Sequence, residues 1–209
     1  MKNNSIRQRT FYSNRDIQKA EYRNVIIFQH NPEEKEPIQV TKTRNKKEKF
    51  TVPGKQILND KKSRMYFDLL VKGNFEQNDY FITLTYSDKY LPETEAAAEK
   101  IIKKYIKELR KEAKSRGEKT LKYIYVTETG RGRIHHHMLL KNCLQRDLVE
   151  NLWSRQVKPF CHDRERLGWA NAKRIRAASA KLKGNSPDYM SRLSRYMTKE
   201  PRTKQGQKH

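Results

Sequence analysis

From Tyr80 onward the sequence predicts an α+β fold, a central antiparallel sheet with helices packed on one face in the ferredoxin-like order. Three observations predict it. Four short runs crowded with aromatic and β-branched residues read as strands, and two amphipathic stretches separate them. The middle pair of strands is joined by TGRGR at 129–133, whose two glycines suit a hairpin turn.

The first core strand is YFITLTYS at 80–87, ended by Ser87 and Asp88. After Pro92, Thr94 is placed to cap a helix in which Ala98, Ile101, Ile102, Tyr105, Ile106 and Leu109 keep the i, i+3, i+4 rule. Lys100, Lys103, Lys104, Lys107 and Lys111 fall on its other faces. LKYIYVTE at 121–128 and RIHHHMLL at 133–140 are the two hairpin strands. A second helix is predicted from about 144 to 155 on the stripe Leu144, Leu148, Val149, Leu152 and Trp153, followed by a strand in GWANAKRIR at 168–176. The last helix has Ser186 as cap, Pro187 and Asp188 in its first turn, and Pro201 to close it. The order is βαββαβ plus a terminal helix, with one sheet face left for a ligand.

Ahead of this domain, taken as 80–201, residues 1–79 read as a basic N-terminal extension or accessory segment. It mixes KTRNKKEK at 42–49 with the acidic NPEEKEP at 31–37. VIIF at 25–28 suggests one strand, while Leu58, Met65, Tyr66, Leu69 and Leu70 recur at helical spacing and predict packing on the domain from residue 80. Residues 202–209 form a basic tail.

Composition narrows the partner. Lys and Arg total 47 against 24 Asp and Glu, a formal net charge of +23 over 209 residues, which self-repels unless a polyanion neutralises it. Nucleic acid is that counterpart, although charge alone fits a noncatalytic basic binder equally well. Cys143 and Cys161 form no CxxC pair and read as reduced thiols of a cytoplasmic protein. No apolar run approaches the roughly 20 residues that span a bilayer, so no membrane partner is expected.

Three of the six histidines are consecutive, His135, His136 and His137, inside a strand. With a side-chain period of two, His135 and His137 share one face and His136 takes the other, so the outer imidazoles stand side by side as two ligands of one metal must. Glu128, across the hairpin from His135, is the best third ligand, against a solvated turn residue as the plain alternative. Two imidazoles and a carboxylate with open positions suit Mn²⁺ or Mg²⁺ acting on a phosphodiester. In DYMSRLSRYMTKEP, Tyr196 and Lys199 share a helix face, so a phenol and an ammonium can approach one phosphate together. Tyr189 is a possible second nucleophile, with packing against the sheet the favoured reading. Arg131, Arg133, Arg192 and Arg195 are candidates for gripping a DNA backbone, and Tyr80, Tyr86, Tyr123 and Tyr125 for base stacking on the sheet.

FITLTYS at 81–87, RIHHHMLL at 133–140 and RYMTKEP at 195–201 together resemble the motifs of the HUH endonucleases, specifically the replication initiators (Rep proteins) of small rolling-circle replicons. The resemblance spans residues 80–201. It implies that His135 and His137 are metal ligands, Glu128 the third, Tyr196 the nicking tyrosine and Lys199 its partner. His136 stands where the family has a hydrophobic residue. It further implies nicking of a single-stranded or extruded hairpin origin, a covalent 5′-phosphotyrosine, and rejoining after one round of synthesis. The tyrosine follows the histidines, the reverse of the order usual in conjugative relaxases. Single-tyrosine transposases share the order seen here and stand as the alternative. The sequence has no GxxxxGK[ST] loop, so unwinding and synthesis are expected from a helicase and polymerase of the host or of the plasmid, phage or integrated element.

Overall fold

The computed structural model describes residues 5–12, 18, 23–30, 53–129, 133–156, 163–176 and 189–198. The chain divides into two compact units, Met1–Asn74 and Phe75–His209.

In the first unit, β1 (Ser5–Tyr12) and β2 (Arg23–His30) pair antiparallel, Ile6 opposite Gln29 and Thr10 opposite Val25. VIIF thus extends in both directions into an eight-residue strand, and its partner SIRQRTFY carries too little apolar alternation to be read beforehand. Helix α1 runs Pro53–Asn74. Leu58, Met65 and Tyr66 are exposed on it, so the packing expected of them is not seen.

The second unit holds β3 (Tyr80–Thr85), α2 (Glu95–Ser115), β4 (Tyr123–Glu128), β5 (His135–Leu140), α3 (Arg146–Asn151), the short β6 (Ser154–Gln156) and β7 (Arg164–Arg166), β8 (Ala170–Arg174) and α4 (Tyr189–Met197). The four-stranded sheet has the order β4-β5-β3-β8 with every neighbour antiparallel. With β6 and β7 set aside as a separate two-stranded insert, this is the ferredoxin-like βαββαβ sheet, so the predicted α+β class holds.

Residues facing each other across the ladders share a side of the sheet. Tyr80, Ile82 and Leu84 of β3 lie with Met138 and Leu140 of β5 and Ala172 of β8 in one buried cluster. Ile102, Tyr105, Ile106 and Leu109 of α2 and Val149 of α3 join it. Helix α2 starts as predicted, with the Ala97 N–H donating to Thr94 Oγ1 at 3.2 Å.

Helix α3 is shorter than predicted, because the apolar stripe runs on through Leu152 and Trp153 after the helical backbone has ended. Trp153 is fully buried outside the helix, packed on Tyr86 and Tyr105 at ring separations of 5.2 and 5.3 Å. Its indole N–H donates to the Thr85 carbonyl at 2.8 Å. Glu150 ties α3 to the sheet, accepting from the Ala172 N–H at 2.8 Å and from Arg146 Nε at 2.9 Å.

Burial pushes the Glu150 carboxyl up, but the Ala172 N–H and then Arg146 outweigh it and hold the group below its ordinary value. A carboxylate depressed in the folded state stabilises above its unfolded pKa, and that contribution is lost as pH falls through the folded value. Urea midpoints taken from pH 6 to pH 3 are therefore expected to fall less steeply for Glu150→Gln than for the native chain. Equal slopes would contradict the assignment.

Candidate metal and nucleophile site

The register builds the site. On β5, His135 faces Glu128 of β4 and Thr85 of β3, while His137 faces Val126 and Thr83. His136 turns the other way, into the core. It is fully buried, with Tyr86 Oη 2.7 Å from Nε2, Thr127 Oγ1 3.0 Å from Nδ1, and the Trp153 ring 6.0 Å away. Burial, and then the neighbouring His135 and His137, lower its pKa to about 4, so it sits in the core as a neutral imidazole using both ring nitrogens.

On the opposite face, Glu128, His135 and His137 each direct one ligand atom to a common point, all within 4.8 Å of one another. Glu128 Oε2 lies 3.2 Å from His135 Nε2 and 3.5 Å from His137 Nε2. The other ring nitrogens are held from behind. His135 Nδ1 is 3.2 Å from the Arg133 carbonyl, which can only accept, so the proton is on Nδ1 and the Nε2 lone pair faces Glu128. Thr83 Oγ1 stands 3.3 Å from His137 Nδ1.

Burial, followed by His135, lowers the pKa of His137 despite the opposing pull of Glu128, so its approach to the carboxylate is not a formed ion pair. His137 Nε2 is buried without a hydrogen-bond partner among the described residues. Imidazole lone pairs and a carboxylate gathered this closely repel one another unless a proton or cation lies among them. The donor set therefore fits a divalent metal ion.

Tyr196 of α4 reaches this face. Its ring meets His137 edge-on at 4.9 Å and Phe81 at 5.9 Å, and it remains 48% exposed. Phe81 in turn stacks on His137 at 5.5 Å, with the rings 17° from parallel. The sheet side expected to be left wholly for a ligand is thus partly occupied by α4.

A family model of replication-associated proteins of the ORF2 kind matches residues 79–201, more than half of the chain. The chain belongs to that replication-associated protein family. No curated protein and no solved structure matches it. The resemblance to rolling-circle initiators carried by the three motifs thus holds at the level of the family.

Other predicted residues of this replication-associated protein fall variously. Tyr189 has Arg192 over its ring at 5.9 Å, and the ring contacts of the histidines involve Tyr196 rather than Tyr189. Arg192 and Arg195 are exposed on α4. Arg133 binds Asp88 Oδ1 at 2.6 Å and the Tyr86 carbonyl at 2.9 Å, so its guanidinium clasps the end of β3. Arg131, Lys199, Cys161, the turn glycines, the cap Ser186, Pro187 and Asp188, and Pro201 lie outside the described residues.

The expected stacking tyrosines are corrected. Tyr80 and Tyr86 are buried in the core, and the register puts Tyr123 and Tyr125 opposite Leu140 and Met138, on the helix-covered side. Phe81 and Thr83, which do face the site, escape a reading by residue type. Their signal is the parity of FITLTYS, in which Phe81, Thr83 and Thr85 alternate with the core residues Ile82 and Leu84.

The end of β3 is seated by close backbone approach. Thr85 N–H donates to the Trp169 carbonyl at 2.9 Å and Ser87 N–H to the Leu167 carbonyl at 2.9 Å, on either side of Gly168. A Cβ on Gly168 would overlap the Thr85 carbonyl oxygen and come within 2.7 Å of Ser87 N, backbone atoms that cannot swing aside. Gly168→Ala is expected to lower stability by about 1–3 kcal/mol, the usual cost of overpacking. An unchanged thermal midpoint would show that the strands are not so close.

Proposed function

We propose that this replication protein nicks and rejoins one strand of DNA at a replicon origin, with Tyr196 as nucleophile and His135, His137 and Glu128 as metal ligands. The observation that supports this most is the edge-on contact of Tyr196 with His137, which sets a partly exposed phenol against the face where the ligand atoms converge.

When bound, Mn²⁺ or Mg²⁺ supplies Lewis-acid polarisation of a non-bridging phosphate oxygen. The Tyr196 phenol loses its proton to water, and its oxygen attacks phosphorus. The bond from phosphorus to the 3′ oxygen breaks, and that oxygen leaves as a 3′ hydroxyl after taking a proton. The 5′ phosphate stays esterified to Tyr196, so the bond energy is conserved, and attack by a 3′ hydroxyl reverses the step.

Lys199 is the proposed partner that favours the phenolate and the phosphate charge. Arg192 and Arg195, with Arg131 and Arg133, supply backbone contacts, though Arg133 first has to share its guanidinium with Asp88. In this reading residues 80–201 are the nicking domain, residues 1–79 an accessory segment and 202–209 a basic tail. The chain works in the cytoplasm on single-stranded or extruded hairpin DNA with a separate helicase and polymerase. Among the described residues no helix is long and apolar enough to cross a membrane.

Incubation with single-stranded origin DNA and Mn²⁺ is expected to give a protein–DNA adduct that survives denaturing electrophoresis. The adduct is expected to vanish with chelator and in Tyr196→Phe, and to persist in Tyr189→Phe. An adduct undiminished in Tyr196→Phe would refute the nucleophile. Salt-sensitive binding without cleavage of any origin sequence would return the chain to the noncatalytic class.

A further inference from the structure

Among the described residues of the second unit, two large apolar side chains stay well exposed: Tyr196, at 48%, and Trp169, at 59%. Trp169 has no part in the metal and nucleophile site, yet the register places it on the same face. Ala170 pairs with Leu84, which pairs with His136, so Ala170 belongs to the core side and Trp169 to the side of Thr85 and His135. Two strand spacings separate β8 from β5, so Trp169 stands about 10 Å across the sheet from His135.

Its mounting is rigid although its ring is not covered. The Trp169 carbonyl accepts from both Thr85 N–H, at 2.9 Å, and Thr85 Oγ1, at 3.2 Å, and Gly168 lets that backbone lie directly against β3. Farther along β8 the same face carries Asn171, opposite Thr83, and Lys173, opposite Phe81. Lys173 is exposed and has no acidic partner among the described residues. An aromatic ring, an amide and an ammonium thus recur at every second residue along one edge strand, beside the histidines, in a chain of net charge +23.

A solvated tryptophan on a fixed backbone is costly to expose unless something flat covers it, and the cation and amide beside it suit a phosphate and a base edge. We propose that Trp169 is a stacking platform for an unpaired base of the single-stranded DNA near the scissile phosphate, with Asn171 and Lys173 guiding the adjoining nucleotide. Where the strand runs rests on the nicking reading, but the platform is read out by binding and not by cleavage.

The chain has two tryptophans, and Trp153 is fully buried, so an exposed-tryptophan signal reports on Trp169. Titration of the full chain, in chelator to prevent cleavage, with a short single-stranded oligodeoxynucleotide is expected to quench tryptophan fluorescence. Trp169→Ala is expected to abolish the quench and weaken binding roughly 5- to 150-fold, the range for one base stacked on an aromatic ring, while Trp169→Phe keeps most of the affinity. An unchanged thermal midpoint for Trp169→Ala is the expected control, since the ring covers no core.

Binding by Trp169→Ala within about twofold of the native chain, or a quench that survives the substitution, would overturn the platform. That result leaves the Tyr196 adduct as its own test. Conversely, a Trp169-dependent quench in a chain that forms no adduct would uphold the platform and sink the nicking reading.

Discussion

The pairing of β5 between β3 and β4 is the constraint on which the rest of this structure depends. A slip of one residue in either ladder would send His135 and His137 into the core and His136 to the outside. The core side locks the register. His136 is buried with hydroxyls of Tyr86 and Thr127 on its two ring nitrogens, and Trp153 packs beside it while binding the Thr85 carbonyl. The middle histidine, which replaces the hydrophobic residue expected by resemblance, thus acts as a polar anchor for its two neighbours. An apolar residue there would leave both hydroxyls to find other partners.

The same register decides what the outer face offers. Glu128 reaches the two Nε2 atoms because it pairs with His135 across the hairpin, and Thr83 stands behind His137 because β3 pairs in step with β5. Gly168 and the Leu167 and Trp169 carbonyls fix the end of β3 from its other edge. Helix α4 then lays Tyr196 against His137 and Phe81, so the phenol, the imidazole and the aromatic strand residue form one packed group in which each limits the motion of the others.

Much of this is legible in the sequence. Strong periodicity marks β3, α2, β4 and β5, and a period of two is enough to separate His136 from its neighbours. The family is readable from three motifs. The failures have local causes. Trp153 extends an apolar stripe past the end of α3 because it is buried under β3, a tertiary contact that mimics helical spacing. The three-residue strands β6 and β7 are too short to show a period, and β1 is too polar. Tyr80, Tyr86, Tyr123 and Tyr125 are misplaced by sequence because the face of one strand says nothing about another until their pairing is known. The approach of α4 to the histidine face is likewise a packing outcome that its own sequence does not encode.

Binding of Mn²⁺, followed by loss of the free-ion electron paramagnetic resonance signal, tests the central claim most directly, since it asks whether the three converging side chains form one site. Stoichiometric binding is predicted for the native chain, lost in His137→Ala and in Glu128→Ala. Binding that is absent from the native chain, or unchanged in both variants, would contradict a metal site built by these residues.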